Sequence, residues 1–191
     1  MILYLHGFNS TPGSHKARTL HNYMKARGLD SLFACPALPH RPEEALRAID
    51  TTLATISPQA TTIVGSSLGG FYATHVAEKR GCRAVLLQPA VSPHVGLEAF
   101  LGAQQNLHTG ERYELTRGHL EAWRALAVER VDPERYLVFL ETGDEVLDWR
   151  EAALKYAGAR MVIRDGGDHS LRSFPEHIPR ILAFAGIFPR A

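Results

Sequence analysis

The sequence predicts an α/β fold: a doubly wound, mostly parallel six-stranded sheet with helices on both faces and a small cap. Three observations carry that expectation. Short apolar runs alternate with longer amphipathic stretches, the pattern of βαβ units. Most of the short runs are apolar at consecutive rather than alternate positions, as in strands covered on both faces. A glycine-rich turn, Gly65-Ser66-Ser67-Leu68-Gly69-Gly70, joins one such run directly to a helical stretch.

The strands are expected at residues 2–6, 32–35, 61–65, 84–88, 136–141 and 160–164. A helix over 16–27 stops at Gly28, a residue suited to a left-handed C-terminal cap. A second, over 42–56, opens with Pro42 beside Glu43 and Glu44, which suits the positive end of a helix dipole. Helices over 67–80 and 146–157 stop at Gly81 and Gly158, and one over 174–188 is expected to kink at Pro179. Residues 91–132 break this rhythm, with five Pro or Gly positions (Pro93, Gly96, Gly102, Gly110, Gly118), short helical pieces such as 121–128, and no evident strand. A connection that long is usually functional, so it reads as a small cap inserted after the fourth strand of a single domain spanning 1–191.

Composition excludes several function classes. Of 191 residues 45% are hydrophobic and 21% charged, and the formal net charge is +1 with no Lys/Arg block. No nucleic-acid partner is expected from such a chain. Its longest apolar runs are strand-sized, short of the ~20 residues a membrane span needs, so no membrane insertion is expected. Two cysteines, Cys35 and Cys82, make no CxxC pair or disulfide framework, and Met1 leads into Ile-Leu-Tyr-Leu without a basic leader. A cytoplasmic location follows as the expectation.

The chemistry centres on Gly65-Ser66-Ser67-Leu68-Gly69, a G-x-S-x-G pattern. The pattern alone is weak. A strand run before it and a helical run after it supply the context of a nucleophile turn, in which the serine hydroxyl is raised above the sheet and small residues are needed two positions either side. Ser67 is the expected nucleophile, Ser66 being out of register. The Leu68 N–H, at the helix start, would face a developing oxyanion. A serine hydroxyl needs a base, and in this arrangement the chain order is Ser, then Asp or Glu, then His. His169, just past the sixth strand, is the expected base among ten histidines. Asp144, directly after the fifth strand, is the expected acid, with Asp148 as runner-up; the Ser–Asp and Asp–His spacings are 77 and 25 residues. The second oxyanion donor is expected from the loop after the first strand, His6-Gly7-Phe8, as the Phe8 N–H, with His6 as a hydrogen-bonded loop anchor. This chemistry needs no metal and no cofactor.

These segments together resemble the small YqiA-type esterases of the α/β-hydrolase superfamily. The resemblance covers almost the whole chain. It rests on residues 3–10 (LYLHGFNS), 64–74 (VGSSLGGFYAT) and 142–148 (TGDEVLD), with a further likeness at 109–113 (TGERY) in the cap. It implies an esterase or thioesterase acting on short to medium acyl esters or acyl-CoA, and puts nucleophile, acid and base on Ser67, Asp144 and His169. One departure is visible: Asp168 stands where Asn is expected before the histidine. Phe8, Leu68, Phe100, Leu101 and Trp123 are candidates for an apolar acyl pocket, with Phe100 and Trp123 as substrate-binding residues. Lys16 and Arg18 are read as the solvated face of a helix. The alternative function is a non-catalytic or non-hydrolytic, lyase-like protein on the same scaffold.

Overall fold

The computed structural model describes residues 1–188. In chain order the strands are β1 (Ile2–Leu5), β2 (Phe33–Ala34), β3 (Thr62–Ser66), β4 (Arg83–Leu87), β5 (Gly102–Gln105), β6 (Arg112–Leu115), β7 (Tyr136–Glu141) and β8 (Arg160–Arg164). Six of them form one parallel sheet in the order β2-β1-β3-β4-β7-β8. These are the six expected strands. The helices are α1 (His15–Lys25), α2 (Pro42–Thr52), α3 (Leu68–Arg80), α4 (Pro93–Gly96), α5 (Arg117–Leu126), α6 (Trp149–Lys155) and α7 (Phe174–Phe184).

Alternation along the strands splits the core in two. Leu3, Leu5, Ile63, Ala84, Leu86, Val138 and Leu140 face one way and pack with α2, α3, α5 and α6. Ile2, Tyr4, Val64, Val85, Leu87, Leu137 and Phe139 face the other way and pack with α1 and α7. Both faces are covered, which is why the strands read as unbroken apolar runs.

Four expectations need correction. α2 ends at Thr52 rather than at 56. α6 begins at Trp149 rather than at 146, because Asp144 Oδ1 accepts the Val146 and Leu147 amides and Asp148 caps the helix by accepting from Arg150 N. α7 ends at Phe184, where Gly186 turns left-handed at φ 69°. Residues 91–132 do hold strands: β5 and β6 pair antiparallel as a separate hairpin, between α4 and α5. Its strands are short and largely exposed, so they lack the apolar run that marked the others. Asn106 organises the turn by accepting from His108 N and Thr109 N.

One contact places the turn between β3 and α3. A Cβ on Gly65 would collide with the Gly69 carbonyl, one on Gly69 with the Leu5 carbonyl, and one on Gly70 would lie 2.7 Å from Pro89 Cβ. The helix thus rests on strand backbone, with no side chain between to yield. Gly69→Ala is therefore expected to lower the unfolding free energy by about 3 kcal/mol. Gly96→Ala, at a helical position with open space around it, is the control, and should match the wild type in urea denaturation. Equal midpoints for both variants would refute the contact.

Candidate active site

Ser67 is the residue between β3 and α3, with φ 55° and ψ −123°. A non-glycine residue held there stores of order 1–3 kcal/mol of strain. The flanking structure holds it: Ser67 N donates to Leu87 O at 3.1 Å, and Ser67 O accepts from Gly70 N and Ala90 N.

Ser67, His169 and Asp144 come together in one hydrogen-bonded line. His169 Nε2 lies 3.1 Å from Ser67 Oγ, and His169 Nδ1 lies 2.8 Å from Asp144 Oδ2 and 3.0 Å from Oδ1. The Asp144 side chain is only 1% exposed. Burial opposes its ionisation, but hydrogen bonds from His169 and from the Leu147 and Val146 amides, with the attraction of His169, outweigh burial and hold the carboxyl below its ordinary value. An anionic Asp144 keeps the ring proton on Nδ1 and leaves Nε2 free to accept from the serine hydroxyl.

The loop after β1 supplies the other side of the site. A Cβ on Gly7 would lie 3.2 Å from Ser67 Cβ, so the backbone around Phe8 runs close to the serine. Among the described residues, neither the Phe8 N–H nor the Leu68 N–H finds an acceptor. His6 anchors the loop: Nδ1–H donates to Gly7 O at 3.1 Å and Nε2 accepts from Leu38 N at 3.1 Å. That pairing needs the neutral ring, and burial lowers the His6 pKa accordingly.

The other candidates lie elsewhere. Asp148 caps α6 and pairs with Arg150. Of the remaining histidines, His75 follows Ser67 in α3 and faces the Leu126 carbonyl, at the end of α5. Asp168 turns its carboxylate to Ser170 N and to Arg172. Trp123 is 1% exposed and donates from Nε1 to Tyr72 Oη at 2.8 Å, so it sits behind the pocket wall instead of on it. Phe100 is half exposed and meets Phe8 edge-on, with ring centroids 6.4 Å apart. A cleft of about 30 Å³ adjoins Phe8 and Leu68, and its walls include His40, Asn106, Glu111 and Tyr113, a more polar lining than expected. Arg18 is exposed as expected, whereas Lys16 is only partly exposed and its ammonium donates to Ser170 O at 2.9 Å. Burial lowers its pKa, against the attraction of Asp168, Asp144 and Glu141.

Sequence reasoning missed the supports beneath His169. Glu141, 1% exposed at the end of β7, accepts from Asp168 N at 2.9 Å and from Ser173 Oγ at 2.5 Å. Gln88, at φ 46°, accepts from Glu141 N and donates to the Glu141 and Asp168 carbonyls. Glu145 accepts the backbone N–H of His169 at 3.0 Å. The one signal in the sequence was a carboxylate closing an otherwise apolar strand.

Comparison with known proteins identifies a family and a fold. The sequence model of the uncharacterised protein family UPF0227 matches residues 1–186. A UPF0227 protein of Serratia proteamaculans is 26% identical over 186 residues, covering 96% of this chain and 98% of that protein. Among solved structures, alpha/beta hydrolase domain-containing protein 10 from mouse superposes with a TM-score of 0.70 at 15% identity, over 97% of this chain and 89% of that one. The esterase domain of a Rhodothermus marinus protein gives a TM-score of 0.67 at 23% identity, over 96% and 85%. The fold is that of the α/β hydrolases. Among the described residues no helix is long and apolar enough to cross a membrane.

The depressed His6 pKa has a consequence for stability. The folded state binds this proton less readily than the unfolded chain, so the stabilisation is present above the unfolded pKa of about 6.5 and is lost as pH falls below it. The thermal midpoint is expected to drop on acidification through that value, and His6→Gln should flatten the drop. An unchanged slope in His6→Gln would assign the effect to His94, His119 and His177, whose pKa values burial also lowers.

Proposed function

We propose that this chain, which belongs to the UPF0227 family, is a serine hydrolase that cleaves carboxylic esters or acyl thioesters through an acyl-enzyme intermediate. The observation that carries the reading is the line from Asp144 through His169 to Ser67 Oγ, with distances of 2.8 and 3.1 Å, beside two free backbone amides. Ser67 Oγ attacks the acyl carbon while His169 Nε2 takes its proton. Asp144 orients the ring and stabilises the imidazolium. The Phe8 and Leu68 N–H groups bind the oxyanion, each such donor being typically worth about 3–4 kcal/mol. The C–O or C–S bond then breaks, and His169 returns the proton to the leaving alcohol or thiol. Water, deprotonated by His169, attacks the acyl-enzyme to release the carboxylic acid and restore Ser67. Every step uses side chains, backbone amides and water alone.

The substrate in this reading is a small-molecule acyl ester or acyl-CoA. The catalytic unit is one domain, with residues 91–132 as a cap beside the oxyanion loop. Both cysteines are free thiols, which suits a reducing compartment such as the cytoplasm.

The test is turnover of a chain-length series of nitrophenyl esters and the matching acyl-CoA thioesters by the wild type, Ser67→Ala and Asp144→Asn. Ser67→Ala is expected to lose kcat by about a thousandfold or more, and Asp144→Asn to approach that loss. Ester against thioester preference follows from the two series. Full turnover in Ser67→Ala would exclude the scheme. A wild type inert to every substrate and to a fluorophosphonate would favour a non-catalytic or lyase-like role.

A further inference from the structure

The β5–β6 hairpin grips the loop that carries Phe8. Tyr113 Oη, on β6, donates to Asn9 Oδ1 at 2.7 Å. Asn9 Nδ2 reaches Gln104 Oε1, on β5, at 3.4 Å. Just past β5, Asn106 Nδ2 donates to Ser10 O at 3.1 Å. These contacts join residues about a hundred positions apart in the chain, and all three fall on the two residues after Phe8.

The gripped segment is one that needs holding. Asn9 has φ 48°, a conformation that a non-glycine residue keeps where its surroundings impose it. The Phe8 N–H lies in the Gly7–Phe8 peptide, one residue before Asn9, and it has no acceptor of its own to fix it, so its aim depends on how the following residues are held. Tyr113 in turn is held from behind. Its ring stacks on His40 with centroids 4.1 Å apart and planes 15° apart, and His40 Nδ1 lies 3.2 Å from Glu111 Oε1, back on the hairpin. The phenol therefore reaches Asn9 from a fixed position.

We infer that Tyr113 is a positioning residue for the oxyanion hole: through Asn9 it fixes the loop so that the Phe8 N–H is aimed before substrate arrives. This rests on the hydrolase reading above. An oxyanion donor contributes most when its orientation costs nothing at the moment of reaction. Tyr113 touches neither Ser67 nor the reacting carbonyl, and acts through Asn9. It follows that the hairpin is a fixed wall of the site and not a lid that opens.

The test separates aim from chemistry. Tyr113→Phe removes the hydroxyl and keeps the ring on His40. Backbone 15N order parameters at Phe8 and Asn9 are expected to fall in this variant while those of α1 stay constant. With nitrophenyl acetate, kcat is expected to fall about tenfold, with KM held within about twofold, because the oxyanion forms after binding. In an Asn9→Gly background, which tolerates the positive φ but lacks the carboxamide, Tyr113→Phe should have no further effect on kcat. Unchanged order at Phe8 and Asn9 overturns the proposal whatever the activity, as does a normal kcat with a disordered loop. Losses that multiply in the double variant overturn the route through Asn9. If the wild type shows no Ser67-dependent turnover, the hydrolase reading fails and takes the oxyanion role with it, a result distinct from an ordered loop with wild-type kcat.

Discussion

α3 lies so close to β1 and β3 that Gly65, Gly69 and Gly70 stand where any Cβ would meet neighbouring backbone or Pro89, and the rest of the site hangs from that contact. It forces the chain to turn between β3 and α3 with no slack, which puts Ser67 in a left-handed conformation. It also brings the end of β1 alongside, so that the Gly7 backbone passes beside Ser67. The backbone segments that carry the Phe8 and Leu68 amides run close together because Gly7 and the glycine-lined turn at Ser67 meet there. The described non-glycine residues with positive φ are Asn9, Ser67, Gln88 and Leu171. They follow β1, β3, β4 and β8, all at the carboxyl edge of the sheet. Strain gathers at that edge, where sites of this kind of sheet lie, and the buried strands below restrain it.

Asp144 and His169 are held by a different principle. His169 sits on a loop, and loops are mobile unless their backbone is satisfied. Here the preceding residue donates its amide to the buried Glu141, the His169 amide goes to Glu145, and the Ser170 carbonyl takes the Lys16 ammonium. Gln88 ties the end of β4 to the same loop through the Glu141 and Asp168 carbonyls. The imidazole is thus fixed from below by backbone contacts and from the side by Asp144. A buried carboxylate such as Glu141 is costly unless fully hydrogen-bonded, and its bonds from Asp168 N and the Ser173 hydroxyl meet that need.

The sheet was legible because its central strands are buried on both faces, and Thr62–Ser66 or Tyr136–Glu141 could hardly be anything else. Ser67, Asp144 and His169 were legible because parallel strands deliver their following residues to one edge, so sequence order becomes spatial proximity. The hairpin was not legible. Gly102–Gln105 and Arg112–Leu115 hold polar residues on an exposed ribbon, and their pairing depends on an Asn106 turn and on contacts with Asn9 and Ser10 far away in sequence. Trp123 illustrates a second limit: an aromatic residue in a cap reads as a pocket wall, and only the hydrogen bond to Tyr72 turns it into a core support. Glu141 and Gln88 were missed, and so was the Lys16 contact with Ser170, because their partners are largely backbone groups, which leave no pattern among side chains.

The separation of the site along the chain sets an order in time. His169 follows Ser67 by 102 residues, and Asn9 waits for Tyr113, 104 residues later. At translation rates of roughly 5–20 residues per second, Ser67 is synthesised some 5–20 s before His169. A nascent chain therefore carries Ser67 before it carries His169, and the hydrogen-bonded line from Asp144 through His169 to Ser67 can close only once the loop after β8 has been made.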